Sequence, residues 1–127
     1  FSFELLCLMH LDEIKQALGI DRILNDSSAW RSRQDGHGTQ IDLVIERADR
    51  NINICEMKFS GTPYIINADY ERRLRERIAI FRAETATRCS TRMTMVTTYG
   101  VLPGKHSAIV DDEVTLDNLF TVTDDTK

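Results

Sequence analysis

The sequence lacks several features that would assign it to a common class of protein. It has no apolar run long enough to span a bilayer, and no glycine-rich phosphate loop, dinucleotide-binding fingerprint or internal repeat. It has only three cysteines, Cys7, Cys55 and Cys89, and their spacing fits neither a disulfide framework nor a zinc site. We therefore expect reduced thiols and a cytoplasmic location.

The sequence also lacks an excess of positive charge. Its 16 lysines and arginines are outnumbered by 20 aspartates and glutamates, which gives a net charge of −4. Any contact with nucleic acid must therefore be local. The length of 127 residues and the 42% hydrophobic content predict a single domain over residues 1–127. The chain starts at Phe1 inside a helical pattern and without a methionine, so we expect a fragment of a longer protein.

The most informative stretch runs from Gln40 to Phe59 and predicts a β-hairpin. Apolar and polar residues alternate in both halves, and residues 48–51 have turn composition. Antiparallel pairing gives one face that is apolar near the turn and polar at the open end. The opposed residues on that face are Glu46 and Ile52, Val44 and Ile54, Asp42 and Glu56, and Gln40 and Lys58. The other, apolar face opposes Leu43 to Cys55 and Ile41 to Met57.

The polar end of this hairpin predicts a metal site. Two carboxylates that oppose each other repel unless a cation lies between them. Asp42 and Glu56 supply hard oxygen ligands that suit Mg²⁺ or Mn²⁺, and the backbone carbonyl of Met57 can add a third. Lys58 lies on the same face as Glu56 and can act on the attacking water, while Gln40 can orient water or phosphate. The chemistry implied is metal-assisted hydrolysis of a phosphodiester.

Residues 1–18 predict one amphipathic helix that ends before Gly19. Leu8, Leu11 and Leu18 form an apolar stripe, and Glu4 falls near its middle. A buried carboxylate is costly unless it is paired or binds a metal, so Glu4 is a further site candidate. The alternative is that Glu4, in the first turn of the helix, simply reaches water.

Residues 67–87 predict a second helix, capped by Asn67 or Asp69. Its apolar stripe consists of Tyr70, Leu74, Ile78, Phe81 and Thr85. The remaining faces are rich in arginine, and four of these side chains are candidates for contacts with nucleic-acid phosphates: Arg72, Arg73, Arg75 and Arg77. The alternative is a solvated helix with pairs of opposite charge four residues apart, such as Arg72 with Glu76.

The remaining segments complete an α/β pattern. Short strands are predicted at 28–33, 93–98 and 108–110, and a helical turn at 116–120. His37 lies in a predicted loop, where a lone histidine is more often a loop residue than a ligand. His10 and His106 are weaker candidates still. The predicted order is α-β-β-β-α-β-β, with a mixed sheet.

These residues and motifs resemble a known superfamily. The chain resembles the PD-(D/E)XK, or restriction-endonuclease-like, nucleases in the order of its elements. A helix with Glu4 comes first, then a hairpin with Asp42 and the run Glu56-Met57-Lys58, and then a second helix. The stretches QIDLVIER, ICEMKFS and MVTTYG resemble, more closely, the C-terminal domain of a family of bacterial AAA-type ATPases. Ile41 precedes Asp42 where the superfamily's name expects proline.

The resemblance implies a restriction-endonuclease-like core, a central mixed β-sheet flanked by helices. It implies an Mg²⁺- or Mn²⁺-dependent endodeoxyribonuclease that hydrolyses phosphodiester bonds in DNA. It also implies an ATPase domain in the same full-length chain. Many nucleases of the superfamily work as homodimers, and no membrane partner is expected.

Two alternatives give the same residues other roles. The domain can be catalytically inactive and bind nucleic acid or a partner, so that it regulates or targets the ATPase. The acidic net charge and the balance of Arg and Glu in the second helix favour this reading. Alternatively, Lys58 forms a structural ion pair with Asp42 and Glu56.

Overall fold

The structure, a computed structural model, describes residues 2–33 and 39–120. The predicted loop residue His37 lies outside the described residues. The helices are α1 (Phe3–Met9), α2 (Leu11–Ala17), α3 (Ala68–Thr85) and α4 (Leu116–Phe120), and a 3-10 helix covers Ser107–Ile109. The strands are β1 (Asn25–Arg31), β2 (Gln40–Arg47), β3 (Asn51–Lys58), β4 (Ser90–Thr97) and β5 (Asp112–Thr115).

The strands form one five-stranded sheet in the order β1-β2-β3-β4-β5. The pairs β1–β2 and β2–β3 are antiparallel, and the pairs β3–β4 and β4–β5 are parallel. Two parallel neighbours need a crossover connection, and α3 supplies the one between β3 and β4. The predicted α/β class with a mixed sheet is therefore confirmed.

Two apolar cores cover the two faces of the sheet. On one face, α1, α2 and α4 pack against buried strand residues, which include Leu43, Ile45, Cys55, Met57, Val96 and Val114. On the other face, α3 packs against a second set, which includes Ile41, Val44, Ile52, Ile54, Met93 and Met95. β3 has a paired strand on each side and a core on each face, so most of its residues are buried.

α3 follows its sequence prediction closely. The Asn67 side chain caps its start and accepts a hydrogen bond from the Tyr70 backbone N–H at 2.8 Å. The helix ends where Ala86 takes a left-handed conformation, with φ of 52°. None of the described helices combines the length and the apolar composition that a membrane span requires.

The single helix predicted over residues 1–18 is wrong, because the chain breaks at His10 into α1 and α2. His10 Nδ1 donates to the Leu6 carbonyl at 2.9 Å, while the His10 backbone N–H turns to Cys7. The imidazole thus takes the place of the backbone donor that would continue the helix. The ring also packs edge-on against Phe120, with centroids 4.9 Å apart, so α4 supports the break.

The predicted apolar stripe of this region is also displaced. The buried residues are Phe3, Cys7 and Ile14, whereas Glu4 and Leu8 are exposed. Glu4 therefore reaches solvent from the first turn of α1, which was the alternative to a buried carboxylate.

The hairpin register is confirmed near the turn, where Leu43, Val44 and Glu46 oppose Cys55, Ile54 and Ile52. The turn is completed by Arg50 with φ of 69°. Ile41, however, does not share a face with Leu43 and Met57 as predicted, because it lies in the core under α3. The cause is a bulge: Ser28 opposes Val44 and Trp30 opposes Ile41, so β2 carries one more residue than β1 between these pairs.

The strand predicted at 108–110 is wrong, since this segment contributes to the 3-10 helix and the last strand lies at Asp112–Thr115. The Asp111 carboxylate accepts a hydrogen bond from the Met93 backbone N–H at 2.7 Å. This contact fixes the point at which β5 begins to pair with β4, and Val114 is the residue that β5 buries.

A buried polar network joins four strands at the end of the sheet near the hairpin turn. Asn53 is fully buried, and its amide donates to Thr94 Oγ1 at 2.9 Å and to Asp112 Oδ2 at 3.3 Å. Its carbonyl oxygen accepts from Arg47 Nη1 at 3.0 Å. Arg92 holds Asp112 with two further hydrogen bonds.

We predict that Asn53→Ala lowers the free energy of unfolding by about 2 kcal/mol, because it leaves buried partners without a hydrogen bond. Asn51→Ala is the matched control, since the Asn51 amide bonds to Asp49 within the turn, with its carbonyl at 3.3 Å, and does not belong to the buried network. Urea denaturation measures both variants. Equal losses would contradict the role assigned to the network.

The buried thiols are predicted to be unreactive. Burial, and then the charge of Glu4, raise the pKa of Cys7 to about 12, and burial also raises the pKa of Cys55. At pH 8 we expect iodoacetamide to label both more slowly, by about a thousandfold or more, in native than in urea-unfolded protein, because the thiolate is the nucleophile. Mass spectrometry of timed samples provides the rates. The half-buried Cys89 should react first, and equal native rates at Cys7 and Cys89 would refute the prediction.

Candidate active site

Most of the predicted site residues come from one end of the sheet. Because β2 and β3 are antiparallel, the start of β2 and the end of β3 lie at the same end. The start of β2 carries Gln40 and Asp42, and the end of β3 carries Glu56 and Lys58. The hairpin therefore gathers the predicted residues, although the pairs formed by β2 and β3 stop at Leu43 opposite Cys55.

Asp42 lies exposed at the bulge of β2. Gln40 Nε2 donates to Asp42 Oδ1 at 3.0 Å, so the amide holds one oxygen of the carboxylate. Both residues line a small cavity of about 130 Å³ between β1 and β2. The bulge sets the direction of this part of the strand, which is a frequent function of bulges next to functional sites.

Glu56 points toward α3 and is held there by Arg77. Glu56 Oε1 lies 2.7 Å from Arg77 Nη1, and the two side chains are only 11% and 27% exposed. The sequence did not predict this partner. The proposed structural ion pair of Lys58 with Asp42 and Glu56 does not form among the described residues, where Arg77 is the partner of Glu56.

Lys58 and Arg73 lie against the ring of Tyr70, a residue of α3. Lys58 Nζ lies 5.2 Å from the ring centroid, and Arg73 Cζ lies 5.6 Å from it. Such cation–π contacts hold a cation in place without neutralising it. We call Glu56, Lys58, Tyr70, Arg73 and Arg77 the α3 charge cluster.

The Tyr70 hydroxyl is buried in this cluster and has no hydrogen-bond partner among the described residues. Burial, followed by the nearby negative charge of Glu56, raises the pKa of Tyr70. The phenol therefore stays neutral and keeps its proton as a donor. The sequence placed Tyr70 in the apolar stripe and did not indicate a polar role for it.

Glu4 reaches the same end of β3 from the opposite face of the sheet. It accepts a hydrogen bond from Ser2 Oγ at 3.0 Å. Glu4 and Lys58 both line a cavity of about 400 Å³, together with Ser2, Phe3, Met57 and Phe59. The structure therefore brings Glu4 and Lys58 to one cavity, whereas Asp42 lines another.

The other three arginines proposed for phosphate contact are paired within the helix. Arg72 contacts Asp69 and Glu76, Arg73 contacts Asp69, and Arg75 contacts Glu71. The arginines of these pairs are exposed, so each pair contributes little to stability. Hydrogen bonds from His106 and then from Arg75 lower the pKa of Glu71. The predicted pattern of oppositely charged pairs is therefore present, and Arg77 departs from it by reaching across to β3.

The residues at this end of the hairpin offer the oxygen donors that a hard divalent cation prefers. Asp42 and Glu56 offer carboxylate oxygens, and Met57 offers a backbone carbonyl. Within residues 2–33 and 39–120, no group of three or more His, Cys, Asp and Glu side chains is arranged to hold a metal. The fit thus depends on two carboxylates and a carbonyl, and Arg77 already contacts one oxygen of Glu56.

Arg77 could have been singled out from helical spacing. It follows Tyr70 by seven residues and Leu74 by three, so it lies on the same side of α3 as two buried residues. A charged residue at such a position needs a partner from another element. The sequence prediction instead places it with the arginines that contact phosphates.

We predict that Arg77→Ala lowers the free energy of unfolding by about 2 kcal/mol, because Glu56 loses its counter-charge in a largely buried position. Glu56→Gln combined with Arg77→Ala should recover part of this loss. Chemical denaturation of the single and double variants gives the interaction energy. Arg75→Ala is the control, since the Arg75 side chain is exposed, unlike that of Arg77, and its loss should be smaller. An Arg77 effect no larger than that of Arg75 would contradict a stabilising ion pair.

Comparisons with models of known protein families, with curated proteins and with solved structures find no match to this chain. The family resemblance of its motifs therefore stays a prediction.

Proposed function

We propose that this domain is a divalent-metal-dependent nuclease that hydrolyses phosphodiester bonds in DNA. The observation that carries the proposal is the placement of Asp42, Glu56 and Lys58 at one end of the β2–β3 hairpin. The restriction-endonuclease-like core, the ATPase domain in the same chain and action as a homodimer belong to the same proposal, and they rest on the motif resemblance.

Asp42, Glu56 and the Met57 carbonyl would hold Mg²⁺ or Mn²⁺. When bound, the cation supplies a bound water of lowered pKa and polarises the phosphoryl oxygen. Gln40 keeps Asp42 oriented through its 3.0 Å hydrogen bond, so the carboxylate does not need to be ordered when a ligand arrives.

Lys58 has the position of a group that acts on the attacking water. It follows Glu56 by two residues in β3, and the Tyr70 ring holds its ammonium in place. As a cation it can donate hydrogen bonds to water or to a phosphate oxygen and stabilise the negative charge that develops. Glu4 lines the cavity of about 400 Å³ that Lys58 also lines. Its carboxylate can accept a proton or a hydrogen bond from that water.

Four arginines of α3 are the proposed phosphate contacts, and they differ in their distance from the candidate metal ligands. Arg73 and Arg77 belong to the α3 charge cluster beside Glu56 and Lys58. Arg72 and Arg75 lie outside this cluster, and carboxylates of the helix pair with them, as Asp69 does with Arg73. We therefore expect Arg73 and Arg77 to contribute more to phosphate binding than Arg72 and Arg75.

A second candidate function is a catalytically inactive module that binds nucleic acid or a protein partner. One observation favours it: Glu56, a proposed metal ligand, and all four of the arginines proposed for phosphate contact already have partners of opposite charge. Such a module would bind a protein partner without a strong salt dependence, whereas phosphate contacts weaken steeply as salt rises.

We predict that the wild-type chain cleaves DNA with Mn²⁺, and that Asp42→Asn, Glu56→Gln and Lys58→Met each lower the rate about a hundredfold or more, as expected for groups that act on the reacting atoms. Cleavage of labelled double- and single-stranded oligonucleotides, compared with EDTA, provides the rates. Glu46→Gln is the matched control, because Glu46 is an exposed carboxylate at the other end of β2.

Two results would overturn the nuclease proposal. One is a folded wild-type chain that cleaves neither DNA nor RNA with Mn²⁺. The other is cleavage by Asp42→Asn and Glu56→Gln at the rate of Glu46→Gln, which would trace the activity to a contaminant.

A further inference from the structure

Arg77 differs from the neighbouring arginines of α3 in its ion-pair partner. Arg72, Arg73 and Arg75 contact carboxylates of their own helix, whereas Arg77 contacts Glu56 on β3. The contact is short, at 2.7 Å, and largely removed from water. In such surroundings an ion pair is screened less than at the surface.

A cation and Arg77 compete for Glu56 if this carboxylate is a metal ligand. The guanidinium contacts Oε1, and a divalent cation bound to the same carboxylate would lie only a few ångströms from it. Like charges at that separation repel strongly where water is largely excluded. Binding of the cation therefore requires Arg77 to move away from Glu56.

The α3 charge cluster indicates where the released guanidinium would lie. Arg77 follows Arg73 by one helical turn, and Arg73 and Lys58 both lie against the Tyr70 ring. Three cationic side chains would then border one ring, an arrangement that an anion stabilises and that is unfavourable without one. A phosphate of the nucleic-acid backbone is the anion that matches guanidinium geometry.

We propose that Arg77 is a positioning residue shared between Glu56 and the substrate phosphate. Without a cation it neutralises Glu56, and when a cation takes Glu56 it turns to the phosphate beside Arg73 and Lys58. The cation and the nucleic acid then favour each other's binding through this one side chain. The proposal rests on the proposed function, because it needs Glu56 to be a metal ligand.

The first experiment measures Mn²⁺ binding to the 127-residue chain without nucleic acid, from the decrease in the electron paramagnetic resonance signal of free Mn²⁺. We expect Arg77→Gln to bind Mn²⁺ about tenfold more tightly than wild type, a typical size for coupling between two ligands. Arg82→Gln removes the same charge from an exposed position of the same helix, where it contacts the Cys89 carbonyl and not Glu56, and should leave the affinity unchanged. A merely structural role for Arg77 predicts weaker binding, not tighter binding.

The second experiment measures the affinity for a labelled DNA oligonucleotide by fluorescence anisotropy, with Ca²⁺ or with EDTA. Ca²⁺ takes the same oxygen ligands. The affinity of wild type should rise with Ca²⁺. The ratio of the affinity with Ca²⁺ to the affinity with EDTA should be about tenfold smaller in Arg77→Gln than in wild type. Should Arg77→Gln fail to fold, Arg77→Lys keeps the charge without the planar guanidinium and should show the same changes at reduced size.

The failures of the two proposals can be told apart with Asp42→Asn. If Asp42→Asn weakens Mn²⁺ binding but Arg77→Gln matches wild type, the metal site stands and the role of Arg77 is overturned. If wild type, Asp42→Asn and Arg77→Gln all fail to bind Mn²⁺ and Ca²⁺ has no effect on DNA binding, the metal site falls and the role of Arg77 falls with it.

Discussion

The position of β3 is the constraint on which the rest of the structure depends. β3 has β2 on one side, β4 on the other and an apolar core on each face, so a polar side chain on this strand needs a partner. Asn53 obtains one from the buried network and Glu56 from Arg77. The two ends of one strand thus meet the same requirement in different ways, through hydrogen bonds of the Asn53 amide at one end and through an ion pair at the other.

The electrostatics of α3 follow from this constraint. An acidic chain carries its most basic helix against the strand that holds Glu56, and most of the helix's charge is balanced by its own carboxylates. Beside β3 the positive charge is local: Lys58 and Arg73 lie against one aromatic ring, and Arg77, one helical turn after Arg73, pairs with Glu56. Local charge of this kind suits recognition of a single phosphate better than a long stretch of nucleic acid, for which a continuous basic surface is typical.

Sequence patterns predicted the parts of the fold that depend on neighbouring residues. The alternation of β2 and β3 and the Asn67 cap of α3 are local, and both are present. The features that were missed depend on contacts between distant segments. The bulge at Asp42 is defined against β1, the break at His10 is supported by Phe120, and the partner of Glu56 comes from α3. The position of the candidate residues at one end of the hairpin was therefore predictable, but their pairing was not.

The mixed pairing of the sheet also bears on the order in which the chain folds. The β2–β3 hairpin closes over a three-residue turn, so its contacts are local and can form early. The parallel pairs of β3 with β4 and of β4 with β5 join segments separated by α3 or by the loop after β4, and closing them is slower. Until then the β4-facing edge of β3 is an unpaired apolar strand edge, the kind of surface on which folding intermediates associate. The arginine- and glutamate-rich surface of α3, the next segment of the chain, helps to keep such an intermediate in solution.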